Sequence, residues 1–336
     1  MPQEPQAGGS FENVIDVSVV IPVYRGEHTL PTLIAELLPV HSGYMTPSGR
    51  HYRVTEVLLV WDRGPDHSDR TIRALARQYD WVRPIWLSRN FGQHAATLAG
   101  MTSSTGTWIV TMDEDGQHDP AHIGAMLDRA LDTGSQLVYA APTTPPPHGF
   151  LRNLASRTAK WLFVNVLSGV DVEAFNSYRL VLGEVGRGAA AYTGAGVYLD
   201  VAFSWVVART TTCPVPMRDE GRPSGAYSTR RLFAHFGRLV LSSGSRPLTF
   251  VSVAGIGFFV LGLLYAVYVV VRTLTGDAQP QGWTSTIVAL LVIGGLILAS
   301  LGVIAQYIRA ATEASLGRPL YVVVQDPHEA FGSRDH

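Results

Sequence analysis

Acidic residues spaced two apart are the first candidates for chemistry in this chain. In Met112-Asp-Glu-Asp-Gly-Gln-His-Asp-Pro120, Asp113 and Asp115 stand at i and i+2. In an extended chain that spacing sends both carboxylates to one side and Glu114 to the other. Paired carboxylates are ligands for a hard divalent cation such as Mg2+ or Mn2+, and such a cation neutralises a departing diphosphate. The same run also reads as an acidic turn capping a helix that starts at Asp119-Pro120. In Trp61-Asp-Arg-Gly-Pro-Asp-His-Ser68, Asp62 is an acceptor for a nucleobase N–H or a ribose hydroxyl, and the plainer reading is a turn rich in Gly, Pro and Asp. In Ser88-Arg-Asn-Phe-Gly-Gln-His-Ala-Ala96, Arg89 offers a diphosphate a planar fork of donors. Asn90 is alternatively a helix N-cap there, with Gly92 permitting close backbone approach. His94, His118 and His122 also come near one another, but an oxygen-rich donor set favours a hard ion over zinc.

These clusters need a scaffold that gathers them. Val17 to Val23 is a near-continuous apolar run rich in β-branched residues, the pattern of a strand buried on both faces. Similar runs are Val54 to Val60, Val82 to Leu87, Trp108 to Met112 and Leu137 to Tyr139. Helical patterns alternate with them at Thr29 to Val40, Ser68 to Tyr79, Gly92 to Ser103 and Ala121 to Leu131. Strand alternating with helix predicts a doubly wound α/β domain with a mostly parallel sheet. Ligands of such sheets bind beyond the C-terminal strand ends, and each polar cluster directly follows a strand. No G-x-G-x-x-G follows the first strand and no Walker A sequence occurs, so a dinucleotide-dependent oxidoreductase and a P-loop NTPase are unsupported.

The chain has 336 residues, enough for one large domain with additions or for two domains. A net charge of −1 gives no basic field for nucleic acid, and a single cysteine, Cys213, excludes an intramolecular disulfide. Residues 1–14 read as a disordered lead-in without the apolar core of a signal peptide. Leu248 to Val271 and Ser285 to Ile308 carry no charge, and each is long enough to cross a bilayer as a helix. Arg230, Arg231, Arg238 and Arg246 precede this pair and Arg309 and Arg318 follow it, whereas the connecting loop holds only Arg272 and Asp277. The positive-inside rule then puts both flanks in the cytoplasm, beneath the plasma membrane. Residues 150–170 and 228–247 have amphipathic patterns suited to the interface and to anionic membrane lipid. The expected layout is therefore a domain over 15–227 containing the first amphipathic helix, the second over 228–247, a hairpin over 248–308 and a tail over 309–336.

Taken in order, Ile21-Pro-Val-Tyr-Arg-Gly-Glu27, Val60-Trp-Asp62, Ser88-Arg-Asn-Phe-Gly-Gln93 and Met112-Asp-Glu-Asp-Gly-Gln-His118 resemble the successive motifs of inverting family-2 glycosyltransferases of GT-A fold. Within these the chain is most similar to polyprenyl-phosphate glycosyltransferases, including dolichol-phosphate mannose synthases and the bacterial enzymes of O-antigen glucosylation. The tail Gln306-Tyr-Ile-Arg…Gly317-Arg-Pro-Leu-Tyr-Val-Val323 resembles the end of the two-span members. The resemblance implies a GT-A (Rossmann-like) domain, interface helices and a transmembrane hairpin. It implies a nucleotide-sugar donor, a polyprenyl phosphate acceptor, and Mg2+ or Mn2+ surrounded by Asp113, Asp115 and Gln117. It further implies that Pro22, Tyr24, Glu27 and Asp62 hold the nucleoside, with Arg89, Gln93 and Asp113 also on the nucleotide-sugar side. Asp115, Arg179 of Ser177-Tyr-Arg-Leu180 and Arg222 of Gly221-Arg-Pro-Ser-Gly-Ala-Tyr227 are the implied catalytic residues. Three positions depart from the family pattern: Trp61 replaces an Asp, Ser177 replaces an Asp, and the basic loop lacks a lysine. A phosphate acceptor is already anionic and needs no strong general base, so positioning and leaving-group stabilisation carry the reaction, with inversion. A processive polysaccharide synthase would carry Gln-x-x-Arg-Trp, whereas Gln306-Tyr-Ile-Arg309 is followed by Ala310. A non-catalytic sugar-nucleotide-binding scaffold would not need the Asp113/Asp115 pair. A homo-oligomer is compatible with the sequence.

Overall fold

The computed structural model describes residues 14–143, 175–194, 197–218, 283–316 and 319–330, with scattered positions between 255 and 271. Strand β1 (Ile15–Val23) leads through α1 (Leu30–His41) and a short β2 (Tyr44–Met45) to β3 (His51–Trp61). Then follow α2 (Ser68–Gln78), β4 (Val82–Leu87), α3 (Gln93–Ser103) and β5 (Trp108–Thr111). A 3-10 turn (Pro120–His122) opens α4 (Ile123–Thr133), which leads to β6 (Leu137–Pro142). Next come β7 (Arg179–Leu182), α5 (Gly183–Tyr192), α6 (Leu199–Val206) and β8 (Thr210–Val215). Last are α7 (Trp283–Ser315), β9 (Val323–Val324) and α8 (Pro327–Ala330).

Among the described residues the strands form one sheet in the order β8-β6-β7-β5-β1-β3-β4-β9, with β2 paired to β3. The central pairs β5–β1, β1–β3 and β3–β4 are parallel, as the alternating pattern predicts. Strand β7 enters antiparallel between β5 and β6, and β9 adds an antiparallel edge to β4. Alternation along the buried strands sends neighbours to opposite faces. Val17, Val19, Ile21 and Val23 of β1 pack with α1, α2 and α4, whereas Val20, Leu58 and Val60 pack with α3, α5 and α6. Both faces are thus covered, and each fully buried aliphatic side chain contributes about 1.5–3 kcal/mol.

The sheet also fixes where a ligand can sit. From β1 the chain moves to β3 and β4, then returns past β1 through α3 to form β5. Between β1 and β5 the connections diverge, and the loops leave a crevice beyond the strand ends.

Within the expected tail over 309–336, a two-residue strand joins the sheet. Val323 and Val324 pair with Leu87 and Trp86, and Arg73 binds Asp326 through Nε and Nη2 at 2.7 and 2.9 Å. The charge-free stretch 285–308 lies within the continuous helix α7, where Leu290, Ile293, Leu298 and Ile308 are exposed. The described residues by themselves contain no helix long and apolar enough to cross a membrane. The stretch 285–308 includes positions whose side chains lie outside them. The amphipathic segments at 150–170 and 228–247, most of 248–271, and Arg222 also lie outside the described residues.

Candidate active site

A cleft of about 690 Å³ opens at the divergence of β1 and β5. The end of β1 gives it Pro22, Val23, Tyr24, Arg25 and Thr29, and β3 gives Asp62. The loop after β4 gives Asn90, Gly92 and Gln93, and the loop after β5 gives Asp113, Glu114 and Asp115. Four clusters far apart in sequence therefore meet on one wall system. Of the expected donor-side and cation-side residues, Pro22, Tyr24, Asp62, Gln93, Asp113 and Asp115 line this cleft; Glu27, Arg89, Gln117 and Arg179 are not among its lining residues.

Local backbone explains much of the shape. Gly92 caps α3 with φ of +93°, a conformation that L side chains rarely adopt, and it takes the place expected for Asn90. Asp62 reaches across to this turn: its two oxygens accept the N–H groups of Phe91 and Gly92, each at 2.7 Å. Burial pushes its carboxyl above the usual range, and the two N–H donors and Arg89 oppose that rise. Asp62 thus holds the donor-side loop, and its further lone pairs remain the means of meeting a nucleoside. Gly64 lies so close that a Cβ would fall 1.5 Å from the Tyr24 carbonyl oxygen, which locks the loop after β3 against the loop after β1.

The acidic loop is a turn with φ of +79° at Gly116, not the extended chain assumed from the i, i+2 spacing. Glu114, expected to point away from Asp113 and Asp115, lines the same cleft as they do. It accepts the N–H groups of Tyr24 and Arg25, both at 2.8 Å, and burial raises its carboxyl above the usual range. Asp113 accepts from Gln93 Nε2 at 2.5 Å and from Ser177 Oγ at 2.7 Å, and Asp115 accepts the Gln117 N–H at 3.0 Å. The capping reading holds one step along, where Asp119 accepts the Ala121 N–H at 2.9 Å.

Among the described residues no group of three or more His, Cys, Asp or Glu side chains could hold a metal ion. Two carboxylates on one cleft wall nevertheless suit Mg2+ or Mn2+, whose sites commonly take one or two carboxylates and complete the shell with substrate phosphate and water. The histidines serve other ends. His118 stacks on Tyr178 at 4.9 Å and accepts the Asp113 N–H through Nδ1 at 2.9 Å, and burial lowers its pKa. His94 meets the Val197 carbonyl through Nε2 at 2.9 Å and stacks on Tyr198.

The arginines divide. Arg89 lies over the Phe91 ring at 4.2 Å and donates to the Asn90 carbonyl at 3.2 Å. Arg179 is buried, with its guanidinium ion-paired to Asp200 and Nε donating to Thr111 Oγ1 at 3.1 Å. Tyr139 donates to the same Asp200 at 2.8 Å. Arg179 is thus held by Asp200 and Thr111 and is not among the cleft's lining residues, while its charge reaches Asp113. Glu27 accepts the His67 N–H at 3.1 Å and so braces the loop after β3. Asp200, Thr111 and Arg218 escaped the sequence reading. Arg218 binds Glu36 and Asp119, each at 2.8 Å, and donates its N–H to the Gln117 carbonyl at 3.1 Å.

Comparison with known proteins bears on the chain's family. Residues 18–182 match Glycosyl transferase family 2. The uncharacterized glycosyltransferase YkcC of Bacillus subtilis is 30% identical over 315 residues, covering 92% of this chain and 93% of that one. A bactoprenol glucosyl transferase of Shigella phage SfV is 24% identical over 310 residues, covering 91% of this chain and 97% of the other. Among solved structures, mannosyl-3-phosphoglycerate synthase from Rubrobacter xylanophilus overlays with a TM-score of 0.49 and 14% identity, over 70% of this chain and 74% of that one.

Proposed function

We propose, for a chain that belongs to glycosyl transferase family 2, the inverting transfer of a sugar from a UDP- or GDP-linked donor to a polyprenyl phosphate at the cytoplasmic membrane face. The observation that carries the reading is that Asp113, Asp115, Asp62 and the turn at Asn90–Gln93 line one cleft. The lipid acceptor draws on the similarity to a bactoprenol glucosyl transferase, which extends over 91% of this chain.

In this reading Pro22, Tyr24 and Asp62 line the nucleoside end, and Glu27 braces the loop beside it. Asp113 and Asp115, with Gln117 alongside, would hold Mg2+ or Mn2+, which when bound supplies positive charge to the leaving nucleoside diphosphate. Glu114 ties the acidic loop to the β1 loop, so the nucleoside end and the diphosphate end stay in register. Arg89 stands at the mouth of the same turn, and Arg222 lies on the segment that follows β8. The acceptor phosphate is anionic at neutral pH, so an oriented approach replaces a general base.

Membrane attachment through 248–271 and 285–308 draws on their charge-free length and on the arginines that flank them. The sheet is left at β8 and rejoined at β9, so the intervening segment must return to the side it left. One crossing does not satisfy that, and the two charge-free stretches favour two crossings over none.

Screening nucleotide-sugars against one short polyprenyl phosphate, with Mg2+ or Mn2+ supplied, tests the reaction. Asp115→Asn should abolish cation-dependent turnover while the unfolding temperature stays near that of the parent. Near-normal turnover in that variant would remove Asp115 from the cation site.

A further inference from the structure

Asp113 is gripped from two sides by segments that meet only in the folded chain. Gln93 Nε2, from the first turn of α3, donates to Oδ1 at 2.5 Å, and Ser177 Oγ, just before β7, donates to Oδ2 at 2.7 Å. Ser177 is held in turn. Its carbonyl accepts from Thr111 Oγ1 at 2.6 Å, and Thr111 accepts from the buried Arg179 Nε. On one side Asn176 anchors the backbone, donating to the Ala140 carbonyl at 2.8 Å and accepting the Tyr178 N–H at 3.0 Å.

We propose that Ser177 is a positioning residue for the cation-binding carboxylate, fixing the plane of Asp113 from the β7 side as Gln93 fixes it from the α3 side. The inference rests on the reading of Asp113 as a cation ligand. The terminal torsion of an Asp side chain is broad, so a carboxylate on a turn does not choose its plane unaided. Each carboxylate oxygen has two lone-pair directions. One donor at each oxygen occupies one direction apiece, selects a single plane and leaves the remaining directions for a cation. A neutral, short hydroxyl suits this place: it donates without adding negative charge against Asp113. Arg179, Asp200 and Thr111 then act at a distance, by holding Ser177 rather than by touching substrate.

Outer-shell partners of this kind typically govern about 10- to 100-fold in metal affinity. The test is titration of the full chain with Mn2+ alone, counting free ion by its paramagnetic resonance, for the parent, Ser177→Ala, Ser177→Thr and Asp113→Asn. Ser177 is half-buried and its backbone bonds do not use the hydroxyl, so the alanine variant keeps the fold. Ser177→Ala should weaken Mn2+ at least about ten-fold, and Ser177→Thr, which retains the donor, should recover most of the loss. Parent-like affinity in Ser177→Ala, or an equal loss in Ser177→Thr, overturns the proposal. If Asp113→Asn binds Mn2+ as the parent does, the ligand reading of Asp113 falls and this inference falls with it. If only Asp113→Asn is weakened, the ligand reading stands and the role of Ser177 is refuted.

Discussion

Asp62, Glu114 and Arg179 each carry a charge that the fold draws into its own framework. Asp62 holds the Phe91 and Gly92 N–H groups, Glu114 holds those of Tyr24 and Arg25, and the buried Arg179 is paired with Asp200. Removing one member of a buried ion pair leaves the other uncompensated and costs about 3–5 kcal/mol. Arg179→Ala should therefore lower the unfolding temperature of the purified chain markedly. Arg179→Lys should lower it less, because the charge stays while the fork that also reaches Thr111 is lost. Paired thermal melts of the two variants check this, and an Arg179→Ala variant as stable as the parent would refute the pairing. Sequence alone could list these charged residues but not their partners. Asp200 has no spacing relation to Arg179, and Ser177 stood out only as a departure from a family pattern. The spacing argument for Asp113 and Asp115 assumed an extended chain, whereas both line the cleft from a turn around Gly116.

Among the elements, the central strands were legible because burial on both faces demands continuous apolar runs, and β1, β3, β4, β5 and β6 all lie where those runs fall. Strand β9 was not legible, for two residues carry no periodicity. The insertion of β7 was hidden because side-chain alternation is the same for parallel and antiparallel strands. Yet β9 bears on the site. The Val322 carbonyl accepts the Ser88 N–H at 2.9 Å, at the start of the turn that carries Gln93. Arg73 clamps the same segment through Asp326, stacking meanwhile on Trp86 at 4.8 Å. Asp326→Ala removes that clamp, a pair worth about 1 kcal/mol, and local opening should rise roughly five-fold. Amide hydrogen exchange at Ser88 reads the effect, and an unchanged rate there would mean the edge strand stays docked without the Arg73–Asp326 pair.

At the scale of the whole molecule, β8 and β9 join the same sheet, so the proposed hairpin between them must begin and end on the side of that sheet. Helix α7 continues through Arg309 to Ser315. At a rise of about 1.5 Å per residue this carries the chain some 10 Å beyond Ile308. A cysteine placed at Gly282 should accordingly react with an impermeant reagent only from the side opposite the catalytic domain. Labelling from the same side in sealed vesicles would overturn the hairpin. What the sequence determined by itself was the α/β class, the strands, the two charge-free stretches and the polar clusters that follow each strand, since burial and solvation act on each segment locally. Only the tertiary structure decided which carboxylates face the cleft and which are consumed in holding loops. It also returned the C-terminal segment to the sheet and seated Arg179 on Asp200. Those outcomes depend on which donor stands opposite each acceptor in space, a relation between distant residues that no local pattern carries.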